Sequence, residues 1–105
     1  MGEETAAPER MLRAMVSGRV QGVGFRDWAR NEARALGLEG WVRNRASGEV
    51  DVVLCGPAAA VEALCEKLWR GPPAAEVAGV ELFEAGADDL ALRGPKSGFV
   101  RLPTA

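Results

Sequence analysis

Histidine is missing from this 105-residue chain. That single absence rules out Ser-His-Asp and Cys-His arrangements, a histidine metal site and a phosphohistidine intermediate. Cysteine is scarce: Cys55 falls in an apolar strand pattern and Cys65 on an apolar helix face. Buried thiols are expected there rather than a disulfide or a metal site. A cysteine phosphatase needs an arginine shortly after its nucleophile, and the corresponding positions hold Val61 and Gly71. No apolar run reaches membrane-spanning length and no charged-then-apolar leader opens the chain, so a cytoplasmic protein with no membrane partner is expected. The formal charge of −2 lacks the basic excess of domains that bind nucleic acid by general electrostatics, so no nucleic-acid partner is expected either. The length suits one domain with a single two-layer core, expected to act as a monomer.

What the chain does have is glycine placed beside arginine. From Val16 to Arg26 a strand-like run ends in a turn containing Gly22 and Gly24, and Phe25-Arg26 opens a helical pattern. Such a turn lets successive N–H groups converge on an anion, and the helix start behind it adds unpaired donors and a positive dipole end. Arg26 supplies a planar fork able to hold two phosphate oxygens. The turn is not a Walker loop, because no Gly-Lys-Ser/Thr closes it. It is not the dinucleotide fingerprint either, because Asp27 stands where the third glycine belongs. No paired carboxylates lie near it to hold magnesium.

Periodicity organises the remainder. Residues 1–10 are polar and aperiodic and are expected to form a flexible leader. Met11 to Val20 reads as a strand, and Phe25, Trp28, Ala29, Ala33 and Leu36 recur at helical spacing up to a stop at Gly37. Leu38 to Asn44 and Glu49 to Cys55 read as a hairpin joined at residues 45–48. Gly56-Pro57 is expected to begin a second helix carrying Val61, Leu64, Cys65 and Leu68, which Gly71-Pro72-Pro73 ends. Val77 to Phe83 reads as a strand, Ala85 to Ser97 as a loop and Phe99 to Leu102 as a short closing strand. The order β-α-β-β-α-β predicts an α+β, ferredoxin-like split βαβ sandwich, an antiparallel sheet of four to five strands with two helices on one face. Right-handed crossovers make the first two strands parallel with the third between them, which brings the glycine turn and Asn44 to one sheet edge. Arg43 and Arg45 alternate with Asn44 and are expected to face the other way or toward solvent. Trp28 and Trp41 read as packing groups.

An anion nest, an arginine and a neutral asparagine can hold a phosphoryl group and orient a water, but they offer no strong acid. The leaving group must depart without protonation, and the carboxylate of an acyl phosphate fits. Its transfer needs mainly positioning and stabilisation of charge on the phosphoryl oxygens.

Two stretches resemble the signatures of the acylphosphatase family. The first, V-x-G-x-V-Q-G-V-x-F-R, runs from Val16 to Arg26. The second, G-W-V-R-N-x-x-x-G-x-V followed by a glycine, runs from Gly40 to Gly56 and includes Asn44, Gly48 and Val50. A looser similarity takes in the Gly71-Pro72-Pro73 stretch and Phe99, so residues 11–105 are expected to form an acylphosphatase-like domain. The resemblance implies that Arg26 binds the substrate phosphate together with the backbone of Gln21, Gly22, Val23, Gly24 and Phe25, and that Asn44 orients the attacking water. It also implies hydrolysis of a small acyl phosphate to a carboxylate and phosphate without metal or cofactor. Ser47 stands where many members have Asp, and the leader is longer than usual. The rival reading is the same fold serving as a non-catalytic phosphate-, RNA- or protein-binding module. RNA-reading versions expose aromatics on the central strands, where this chain has mainly Val, Met and Leu.

Overall fold

Alternation of apolar side chains along β1 (Glu9–Arg19), β2 (Glu39–Asn44) and β3 (Val50–Pro57) builds one face of a sheet, and two amphipathic helices, α1 (Phe25–Ala35) and α2 (Ala58–Leu68), cover it. The computed structural model describes residues 9–105. Glu9 and Arg10 of the expected leader begin β1, and positions 1–8 lie outside the described residues. β4 (Glu76–Glu84) and β5 (Phe99–Arg101) complete a five-stranded sheet in the order β4-β1-β3-β2-β5. β3 pairs antiparallel with both β1 and β2, which makes β1 and β2 parallel with β3 between them, as the split βαβ order requires. β5 pairs parallel with β2, so the outer edge departs from an all-antiparallel sheet.

Under the helices lie Leu12, Ala14 and Val16 of β1, Val42 of β2, and Val50, Val52 and Leu54 of β3. Phe25, Ala29 and Ala33 face them from α1, and Val61, Leu64, Cys65 and Leu68 from α2. Full burial of a side chain such as Leu54 or Leu64 contributes about 2 kcal/mol, so this face carries most of the fold's stability. Gly37, at φ 72°, lets the chain leave α1 for β2.

Two expectations change. Gly56 and Pro57 end β3 instead of starting α2; Pro57 stands opposite Glu9 with ψ at 137°, extended, and α2 begins at Ala58. The segment expected as a loop from Ala85 to Ser97 contains a short helix, α3 (Ala87–Leu90), and a 3-10 turn at Ala91–Arg93. Tertiary contacts organise it. The Trp41 indole N–H donates to the Asp89 carbonyl at 2.8 Å, and Leu90 packs against Trp41, Val53 and Val100 on the uncovered face of the sheet. Of the two thiols, Cys65 is buried and Cys55 only partly so; burial raises the pKa of both.

Gly40 leaves no room for a side chain beside the neighbouring strand β3. At φ 143°, a Cβ there would overlap the Val53 carbonyl of the neighbouring strand and meet the Phe99 ring at 3.1 Å. Gly40→Ala is expected to cost about 3 kcal/mol or more, a large share of the ~5–15 kcal/mol typical of such a domain. The midpoint of urea unfolding should fall accordingly, and an unshifted midpoint would contradict this packing.

Candidate active site

The chain between β1 and α1 leaves the sheet through two left-handed glycines, Gly22 at φ 75° and Gly24 at φ 81°. A Cβ at either would meet nothing within 4 Å, so these positions present bare backbone to open space. Gly24 is also the N-cap of α1, and no side chain caps the helix there. The first helical hydrogen bond is Trp28 N–H to Gly24 carbonyl at 3.0 Å. The N–H groups before it have no intrahelical partner, which leaves a set of donors at the positive end of the helix dipole.

Beside this helix start is a pocket of about 100 Å³. Ligand sites for drug-sized molecules run to ~300–1,000 Å³, so this one matches a small anion. Gly22, Gly24, Phe25 and Arg26 line one side of it and Asn44 lines the other. Residues distant in sequence thus meet at one edge, because β1 and β2 are parallel and end together. Arg26 is partly exposed, and among the described residues its Nη1 makes only a long 3.5 Å contact to the Leu102 carbonyl, so its guanidinium keeps donors for a ligand.

Gln21 and Val23 stand outside the pocket lining. Val23 packs against the core. Gln21 turns its amide toward the hairpin that joins β2 to β3, where Nε2 donates to the Arg45 and Glu49 carbonyls, each at 2.8 Å. This strut ties the glycine turn to the element that carries Asn44. Gln21→Leu removes both bonds and is expected to lower stability by about 1–2 kcal/mol. If the site works as a unit, kcat/KM for an acyl phosphate should fall about tenfold. Unfolding and steady-state kinetics on the same preparation measure both effects.

Two charged groups complete the pocket that sequence reasoning did not single out. Arg101 reaches it from β5, which lies beside β2 with Arg101 opposite Val42, and Asp27 reaches it from the first turn of α1. They pair at 2.6 Å. The hydrogen bond from Arg101 holds the Asp27 carboxyl below its usual 3.8 against a desolvation effect that opposes it, and the charges of Arg101, Arg30 and Arg26 add to the lowering. A depressed carboxylate pKa means that the pair is intact at neutral pH and opens only as the pH falls through that lowered value. The pocket's one carboxylate is therefore ionised and neutralised, and Arg26 leaves it a positive balance. Among the described residues no group of three His, Cys, Asp or Glu side chains is placed to hold a metal ion.

The Acylphosphatase family model matches residues 12–99. The chain belongs to the acylphosphatase family. An acylphosphatase of Rhizobium etli is 54% identical over 79 residues, covering 75% of this chain and 84% of the relative. One from Bradyrhizobium diazoefficiens is 46% identical over 94 residues, 90% of this chain and 95% of the relative. The solved structure of an acylphosphatase from Coxiella burnetii superposes with a TM-score of 0.79 at 39% identity, covering 90% of this chain and 93% of that one. The family's model thus spans both stretches that meet at the pocket, the glycine turn with Arg26 and the strand ending in Asn44.

On the reverse of the sheet from the pocket, Arg43 and Arg45 turn away from Asn44, as alternation along β2 requires. They meet Asp51, which is fully buried. Its carboxylate accepts two bonds from Arg13, at 2.9 and 2.7 Å, and one from Arg43 at 3.1 Å, while Arg45 lies 3.5 Å away. The bond to Asp51 raises the Arg13 pKa further above its usual value, with Asp89 adding to it. Arg13 and Arg43 also stack over the Trp41 ring, at 5.6 and 4.8 Å from its centroid. Strand alternation placed the arginines correctly. Asp51 carried no sequence signal, because a lone Asp in a strand pattern reads as solvated.

Proposed function

We propose that the chain hydrolyses small acyl phosphates to a carboxylate and inorganic phosphate in the pocket shared by Gly22, Gly24, Arg26 and Asn44. That these residues line one small pocket is the observation that carries the reading. The phosphoryl oxygens accept hydrogen bonds from the backbone N–H groups of Gly22, Gly24 and Phe25 and from the Arg26 guanidinium, which stabilises the charge spread over them in a loose transition state. The Asn44 carboxamide oxygen accepts a hydrogen bond from a water and aims its lone pair at phosphorus. As the water oxygen bonds to phosphorus, the bond to the acyl oxygen breaks and its electron pair leaves on the carboxylate. The water's proton passes to phosphate and solvent. No protein acid is required, since a carboxylic acid's pKa is only about 4. Asp27, ionised and paired with Arg101, is no proton donor at neutral pH.

The same reading makes the protein a cytoplasmic monomer with neither metal nor nucleic acid as partner. Two unpaired cysteines suit a reducing compartment. Against an RNA-reading role, the aromatic residue of β2 on the uncovered sheet face, Trp41, is buried beneath α3. Release of phosphate from benzoyl phosphate in the presence of a chelator tests the proposal. Activity that survives the chelator and is inhibited competitively by phosphate supports it; no release above the spontaneous rate overturns it.

A further inference from the structure

We propose that Asp51, on the face of the sheet opposite the pocket, is a positioning residue that sets the orientation of Asn44 through Arg43 and Arg45. The inference rests on the reading of Asn44 as the water-orienting group. Asn44 is the last residue of β2 and sits at the pocket edge, so its side chain is aimed by the backbone of residues 43–45. That backbone is held in front by Gln21, through the Arg45 carbonyl, and beside the strand by Ala105, whose N–H donates to the Asn44 carbonyl at 3.0 Å.

Behind, the two residues flanking Asn44 both converge on one carboxylate. Arg43 lies directly across the ladder from Asp51, and Arg45 reaches the same Oδ2 from the start of the turn. Arg13 fixes that carboxylate from β1 with a two-pronged contact. The three strands β1, β3 and β2 are thus cross-linked at the level of the pocket. Asp51 is fully buried while Arg45 is about a third exposed, so the carboxylate is the fixed point and the arginines are drawn to it. Breaking a buried pair leaves uncompensated charge, here Arg43 and Arg45 without their partner while Arg13 is left with Asp89. The nearest relief is rotation of Arg43 and Arg45 toward solvent, which turns the backbone between them and with it the Asn44 amide. Misplacement of a positioning group by about 1 Å costs up to ~100-fold in rate.

The test is a double-mutant cycle on Asp51→Asn and Asn44→Ala, with benzoyl phosphate hydrolysis and phosphate inhibition measured for all four proteins. Asp51→Asn alone should lower kcat about tenfold, with KM and the phosphate inhibition constant held within about twofold. In the Asn44→Ala background it should change kcat less than about twofold, and Asp51→Glu should recover part of the single-variant loss. Equal losses in both backgrounds, or a loss shared by kcat and phosphate affinity, would overturn the proposal in favour of general structural support. If Asn44→Ala alone keeps wild-type kcat, the reading of Asn44 fails instead, a separate outcome. Should Asp51→Asn not fold, as judged by circular dichroism, Arg45→Met takes its place in the cycle with the same expectations at about threefold.

Discussion

Replacing Arg26 with alanine is expected to lower kcat/KM for benzoyl phosphate about a thousandfold, equivalent to ~4 kcal/mol of lost transition-state stabilisation. Among the described residues, the guanidinium is the only cation in the pocket without a close carboxylate, since Arg101 is paired with Asp27 at 2.6 Å. The backbone donors of the glycine turn remain in the variant, so hydrolysis should not vanish. Competitive inhibition by phosphate should weaken in parallel, because the same fork holds ground-state and transition-state oxygens. Arg26→Lys should restore a minor part of the loss, keeping charge without the two-pronged geometry. Stability should change little, as the guanidinium's one hydrogen bond among the described residues is the long one to the Leu102 carbonyl. A loss smaller than tenfold would move the burden of charge stabilisation to Arg101 and the backbone.

Asn44→Ala gives the second large effect and a different signature. Its carboxamide is required only for the water, so kcat is expected to fall about 100- to 1,000-fold while the phosphate inhibition constant stays within about twofold. Steady-state kinetics paired with phosphate inhibition separates the two residues cleanly: one variant loses both binding and rate, the other rate alone. A rise in the phosphate inhibition constant that matches the fall in kcat would make Asn44 a phosphate ligand and leave the water without its guide. The β2 ladder should survive the change, because Asn44 pairs with Val50 through its backbone.

These contrasts also separate what was legible in the chain from what was not. Gly22, Gly24 and Arg26 could be recognised because their chemistry is local: left-handed backbone, a helix start and a charged fork fall within a few residues. Asn44 followed from topology, since alternation and right-handed crossovers fix which strand ends share an edge. The boundary near Pro57 is not legible in the sequence because proline suits a strand end and a first helical turn equally. Residues 85–97 hid their short helix because four residues carry too little periodicity to show it. That helix is stabilised by the Trp41 indole and by the contact of Leu90 with Trp41, Val53 and Val100.

The split βαβ order, the glycine turn, the charged fork of Arg26 and the placement of Asn44 at the same edge are all encoded locally in the chain. Each of these follows from backbone conformation or side-chain period within one or two elements. Long-range packing is what clamps Arg101 of β5 to Asp27 at the pocket, carries Gln21 across to the hairpin, and gathers Arg13, Arg43 and Arg45 on Asp51 behind Asn44. Charged and amide side chains have no period of their own. Their partners are set by which strands the sheet brings side by side, and a buried carboxylate is stable in this sheet only because three arginines from β1, β2 and the following turn arrive at the same point.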